Sequence, residues 1–410
     1  MQHLSSSQVG QQKPFNSLLQ RLVRGEDRRK LEATGFACDI AENSIVCISN
    51  LPVKIDTRGN VTVYYSSNTV QEETNVKPYA LQKDTYLLQY ITPVKILNTK
   101  VSNEQPVCQY HHTIPAVIFS SGISGNLFHE FNDIIIPLFI TTKHLESRVL
   151  LILEDHSPSF KTKYIDIFSR LSSYEVMNPT SNASVHCFPG LILGLKYHNN
   201  LALNISDIPG GHSMGEFRMF LRETYHLKFT HVSQIRKPTL LLITRDKTRK
   251  FMNQDEMVTM MKDLGFRVIV AGTEEASNLK IFAGTVNSCG VLVGAHGAGL
   301  TNELFLPAGA VMVQVELLGQ RWASDNYYGN PARAMELHYL RYKIDPEESS
   351  LVELYGRNHS VITNPESVYA NGYRAGRAVY LDNQDVRIDI VKFRKIIVQA
   401  LQLVKTRVLL

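Results

Sequence analysis

From residue 239 to the C-terminus, short apolar runs alternate with stretches of helical spacing, and this limits the fold more than any other feature of the chain. Residues 239–244, 267–271, 290–293 and 310–316 read as strands, each too short for a helix and each dominated by Leu, Ile, Val or Met. Helical stretches near 255–264 and 274–286 separate the first three. A strand near 338–344 follows, and a helix over 389–404 closes the chain. Strands that alternate with helices predict a parallel sheet joined by crossover connections.

A second set of such runs lies upstream. Residues 116–120, 149–153 and 191–195 read as buried strands, with helical stretches at 127–142, 163–171 and 213–226. Ahead of them, 45–55 and 61–65 are strand-like, rich in Val, Ile and Tyr. At 410 residues the chain exceeds what one core usually holds. The linker-like stretch 228–238 therefore predicts a division into a polar stem at 1–30 and two Rossmann-like α/β domains at 31–230 and 231–410.

The segment Val291-Leu-Val-Gly-Ala-His-Gly-Ala-Gly-Leu-Thr-Asn delivers an apolar strand into a turn with glycines at 294, 297 and 299. Glycines let the backbone approach a ligand, and the amides of a helix start are donors for a diphosphate. The spacing fits neither a Walker loop, which needs Lys, nor the Gly-x-Gly-x-x-Gly fingerprint. A plain strand-to-helix turn is the alternative, but His296 has little core to fill there. Upstream, Arg245, Lys247 and Arg249 lie just beyond a strand end, where ligands of open α/β sheets bind. Guanidinium groups hold phosphate through paired hydrogen bonds. Glu316, at another strand end, reads as a ribose contact or a core carboxylate. In the loop after it, Trp322, Tyr327 and Tyr328 offer flat faces to a sugar chain or to each other.

Ser120-Ser-Gly-Ile-Ser-Gly-Asn-Leu-Phe-His-Glu-Phe-Asn-Asp also follows a strand. A helix starting near Asn126 places Asn126, His129 and Asp133 on one face, with a kink or end at Pro137. A polar stripe on an apolar helix needs partners. Either it is an acid–base site in which Asp133 or His129 takes a proton from a sugar hydroxyl, or it is a capped start with structural hydrogen bonds. Asp-x-Asp, a common metal-holding motif of sugar transferases, does not occur. The basic cluster then predicts charge neutralisation by Arg and Lys, with no metal and no other cofactor.

The surplus of 43 Lys and Arg over 38 Asp and Glu is mild and forms no dense basic run, so nucleic acid is not the indicated partner. Acceptor triplets for N-glycosylation occur at Asn60, Asn182, Asn204 and Asn358. Of the five cysteines, Cys38 and Cys47 flank a segment that a disulfide can close. Five buried thiols of a cytosolic enzyme is the alternative, and composition leaves the compartment open.

Four segments in order resemble glycosyltransferase family 61, in its plant xylan-modifying branch. They are Gly-Asn-Leu-Phe-His-Glu-Phe-Asn-Asp at 125–133, Thr-Arg-Asp-Lys-Thr-Arg at 244–249, Gly-Ala-His-Gly-Ala-Gly-Leu-Thr-Asn at 294–302 and Glu-Glu-Ser-Ser-Leu at 347–351. The resemblance implies a GT-B architecture with two Rossmann-like domains facing a cleft. It implies inverting transfer of xylose or arabinofuranose from a UDP-sugar onto xylan or xylo-oligosaccharide. By position, Asp133 is implied as the base, with His129 and Asn126 around it, and Arg245, Arg249, His296, Gly297 and Asn302 at the diphosphate; Lys247, Gly299 and Glu316 join them from the residue reading. It also implies a type II membrane protein of the Golgi lumen, whose anchor this sequence does not contain. A non-catalytic subunit of a polysaccharide-synthesising complex, or a transferase acting on glycoprotein glycans, keeps the same fold, and homo- or hetero-oligomers suit either.

Overall fold

The computed structural model describes residues 15–67, 73–100, 106–122, 124–203, 206 and 211–405. Among these, sixteen strands form three sheets. In chain order they are β1 (Phe36–Ile40), β2 (Ile45–Ser49), β3 (Val53–Asp56), β4 (Thr62–Tyr65), β5 (Glu73–Val76), β6 (Val94–Asn98), β7 (Tyr110–His111) and β8 (Ala116–Phe119). There follow β9 (Leu150–Leu153), β10 (Val185–Phe188), β11 (Leu191–Leu193), β12 (Thr239–Ile243), β13 (Arg267–Ala271), β14 (Val291–Ala295), β15 (Val311–Glu316) and β16 (His338–Lys343).

The chain divides into two compact units. The first takes residues 1–124, 133–197 and 206–211, and the second 125–132, 198–205 and 212–410. The first unit holds two sheets, ordered β1-β2-β11-β8-β9 and β5-β6-β4-β3-β10-β7. Only β11, β8 and β9 run parallel in the former; β1 and β2 form an antiparallel hairpin on its edge. The second sheet is mixed, with β4–β6 and β10–β7 parallel and its other pairs antiparallel. One core, with Ile55, Val63, Ile96 and Phe188 from one sheet and Cys47, Ile118 and Leu193 from the other, seals the two together. The expectation of a single Rossmann-like sheet over 31–230 therefore needs correction. Strands β5, β6, β7 and β10 were not legible as a second sheet, because each is short and half-polar or partly exposed.

Two disulfides lie in this unit. Cys38 and Cys47 face each other across β1 and β2, and Cys108 joins Cys187. Cys289 is a buried thiol of the other unit.

The second unit is built on one five-stranded sheet, β13-β12-β14-β15-β16, parallel throughout. Strands β12, β14 and β15 are buried along their whole length, which is why they read as unbroken apolar runs. The closing helix Ile390–Lys405 buries Phe393, Ile397, Ala400 and Val404, one stripe at helical spacing.

The boundary between the units differs from the one expected near 230. Helix Met214–Tyr225 belongs to the second unit, where it buries Phe217, Phe220 and Leu221. Its Arg218 guanidinium donates to the carbonyls of Leu306 and Met335, deep in that unit. Residues 125–132 also belong there: the Asn132 carbonyl contacts His198 Nε2 at 2.8 Å, and its Oδ1 accepts from the Leu201 amide at 2.7 Å.

Candidate active site

Numbered within its own unit, the parallel sheet has order 2-1-3-4-5, so the chain reverses its direction of winding between β12 and β14. Such a switch point opens a crevice at the carboxyl ends of the strands, where ligands bind. A cavity of about 870 Å³ lies in this unit, lined by Arg245 and Arg249 after β12, His296 and Gly297 after β14, and Glu316 at the end of β15.

Arg245 and Arg249 form its cationic part. Arg249 takes a left-handed backbone, φ 59°, and its Nη1 donates to the His296 carbonyl at 3.0 Å. Arg245 Nε donates to the Thr248 carbonyl at 3.1 Å. Neither guanidinium is hydrogen-bonded to a carboxylate among the described residues. Burial lowers the pKa of both; in Arg249, with Arg245 adding to the effect, it falls to about 10, which still leaves a cation at neutral pH. Two half-buried cations with no carboxylate hydrogen-bonded to either among the described residues suit an anionic ligand.

Gly297 makes their approach possible. A β-carbon there would stand 2.7 Å from Arg245 Nη1 and 2.8 Å from Arg249 Nη1, and its φ of +150° is rarely taken by other residues. Beside it His296 is buried, with Nδ1 2.9 Å from Gln314 Nε2. Desolvation first, then the fields of Arg249 and Arg245, pull its pKa down to about 3, so the ring is neutral.

Glu316 lies 3.2 Å from Arg341, which also holds Asp325 at 2.9 Å. Burial raises its pKa and Arg341 lowers it, with the net direction upward. Part of the lining is aromatic: Phe128 and Tyr327 ring centroids are 5.1 Å apart, and Trp322 meets Tyr327 edge-on at 5.4 Å. Trp322 remains 64% exposed.

Asn126 and His129 line the same cavity. Asn126 is the N-cap of helix Leu127–His129, its side chain accepting from the Phe128 amide at 3.0 Å. Residues Glu130–Ile135 then form a π turn that passes into helix Ile136–Thr142, with Pro137 in its first turn. The three residues expected on one helical face are therefore separated: Asn126 precedes the helix, and the wider turn changes the angle before Asp133. Asp133 is fully buried in the first unit and accepts the Tyr79 hydroxyl at 2.8 Å.

Lys247 is exposed and not among the lining residues. Gly299 and Asn302 do not line the cavity but shape the turn. The Asn302 amide donates to the Gly299 carbonyl at 2.8 Å, and a β-carbon on Gly299 would meet Ile243 at 2.8 Å. Gln320, whose amide donates to the Tyr369 hydroxyl at 2.5 Å, lines the cavity without having been anticipated, and Tyr328, expected with Tyr327, lines it too. Gln320 sits in a loop without periodicity; Tyr328 adjoins Tyr327, and the same aromatic pair was its signal.

A family model described as Glycosyltransferase 61 matches residues 127–313. An alpha-1,3-arabinosyltransferase of Oryza sativa subsp. japonica is 36% identical over 84% of this chain and 62% of its own length. A beta-1,2-xylosyltransferase of the same plant is 38% identical over 80% of this chain and 59% of its own. A xylan glycosyltransferase of Arabidopsis thaliana is 31% identical over 92% of this chain and 79% of its own. The chain thus spans about three fifths of the length of the two rice relatives.

Proposed function

The chain belongs to glycosyltransferase family 61, and from that premise we propose that it transfers a pentose, xylose or arabinofuranose, from a UDP-sugar to xylan with inversion. In this reading it is a GT-B transferase: the unit with the parallel sheet binds the donor and the other unit serves the acceptor side. The observation that carries the proposal is the pair of half-buried guanidiniums, Arg245 and Arg249, backed onto Gly297 at the switch point of the sheet. They neutralise the diphosphate as it leaves, without a metal ion.

The rest of the cavity divides by chemistry. Glu316 takes the ribose hydroxyls, and the neutral His296 ring gives a hydrogen bond to the leaving diphosphate. Trp322 and Tyr327 stack against pentose rings of the acceptor. His129, which lines the cavity, takes the proton of the attacking hydroxyl, since a base must come within about 3 Å of it or act through one water. Asp133, four residues further along the chain, is the second position at which the base assignment is tested. Inversion follows from a single displacement with one base. Residence in the Golgi lumen, with two disulfides formed in an oxidising compartment, completes the proposal.

The experiment has two arms. Calorimetry with UDP, with and without chelator, should show the same binding in both; no binding, or binding only with metal, overturns the donor-site assignment. Both UDP-pentoses are then offered with xylo-oligosaccharides, and the product linkage is read by NMR. Transfer of only an N-acetylhexosamine, or transfer solely to protein, overturns the xylan assignment.

A further inference from the structure

In strand β15, Val311-Met-Val-Gln-Val-Glu, an amide interrupts a run of apolar side chains, and Gln314 has no exposed surface. The sheet register explains why it meets His296. Gln314 pairs with Gly294 of β14, and two residues on the His296 amide donates to the Val315 carbonyl at 3.1 Å. The Gln314 Nε2 then lies 2.9 Å from His296 Nδ1 and 3.1 Å from Ser324 Oγ, while its Oε1 accepts the Tyr339 hydroxyl at 2.9 Å.

Both amide protons have acceptors, His296 Nδ1 and Ser324 Oγ, and the amide oxygen has a donor in Tyr339. Turning the amide over would place its NH₂ against the Tyr339 hydroxyl alone and leave one N–H in a buried site without an acceptor, at a cost of roughly 1–3 kcal/mol. A ring whose Nδ1 accepts a hydrogen bond carries its proton on Nε2.

We infer that Gln314 is a positioning residue: it holds His296 as the neutral Nε2–H tautomer, so that the ring edge turned away from Gln314 is a donor to the leaving diphosphate. The inference rests on the donor site proposed above, and its tautomer half stands apart from that reading. A neutral ring beside Arg249 and Arg245 also avoids adding a third positive charge; burial first, then those two cations, hold its pKa low.

The test begins on the wild-type protein without ligand. Ring ¹⁵N–¹H correlation spectra, with the His296 signals identified by their loss in His296→Gln, should show the proton on Nε2. A proton on Nδ1 overturns the inference whether or not UDP binds. The second measurement is the pH profile of kcat for Gln314→Glu. The carboxylate faces Nδ1 and attracts a proton there. At low pH the doubly protonated ring keeps its Nε2–H and the variant is active. As pH rises through the raised pKa, the Nε2 proton is lost first, and kcat should fall by on the order of 100-fold, the cost of one lost donor to a developing anion. A Gln314→Glu profile parallel to that of the wild type overturns the positioning role. Absence of UDP binding by the wild type would overturn the donor site alone and leave the spectra to decide the tautomer.

Discussion

At Gly297 there is no room for a β-carbon, because two guanidinium groups occupy the space, and the backbone is one that side chains disfavour. Gly297→Ala should therefore weaken UDP binding by about 10-fold or more, through strain of roughly 1–3 kcal/mol and displaced arginines. Arg245→Ala and Arg249→Ala should each cost about 10-fold to 100-fold in UDP affinity by calorimetry, the range for a hydrogen bond to a charged group. Lys247→Ala, at an exposed position away from the cavity, should cost far less. His296 ties the site to pH. Its folded pKa of about 3 lies below the ordinary value of 6.5, so above pH 6.5 neither state gains a proton and the fold keeps its full stability. As pH falls from 6.5 towards 3 the unfolded chain binds a proton that the fold refuses, and stability declines. Urea unfolding at pH 7 and pH 5 should show a larger loss for the wild type than for His296→Gln.

Among the elements, the turn that carries Asn126 and His129 is the one on which the proposed base depends. Asn126 closes the first turn of a very short helix, and the π turn after it changes the angle at which the next residues emerge. Asn126→Ala should lower stability by about 1 kcal/mol, while Asn126→Ser, which caps equally well, restores most of it. If kcat follows the cap, falling in the Ala variant and returning in the Ser variant, the turn positions His129. Loss of activity in both variants instead makes the Asn126 amide itself a substrate contact. His129→Ala and Asp133→Asn, assayed with UDP binding intact, decide the base: full-rate transfer by His129→Ala removes it from that role.

For the molecule as a whole, covalent chemistry reports the compartment. Mass spectrometry of the secreted protein should recover the pairs Cys38–Cys47 and Cys108–Cys187, with Cys289 as a thiol. Glycans are expected at Asn60 and Asn358, both exposed; Asn182 lies in a short turn, and Asn204 falls outside the described residues. Because both disulfides lie in the first unit, reduction should destabilise that unit by about 2–4 kcal/mol per bridge. UDP affinity, assigned to the second unit in the proposed function, should persist after mild reduction.

Sequence by itself determined the second unit almost strand by strand. Strands β12 to β16 and the closing helix appear where apolar runs and helical spacing place them, because buried parallel strands and amphipathic helices write their environment into local composition. It also singled out Arg245, Arg249, His296, Gly297 and Glu316, since glycines and cations at strand ends have few structural reasons to be there. Gln314, not singled out from the sequence, still left a trace there, as a lone amide in an apolar strand must find partners. What the trace lacked was the partner, because sheet order decides who stands beside whom. Only the tertiary structure revealed the mixed sheets of the first unit, whose short edge strands carry too little periodicity to read. It alone assigned Asn126 and His129 to one unit and Asp133 to the other, because a π turn and long-range hydrogen bonds, not local spacing, decide where those side chains lie.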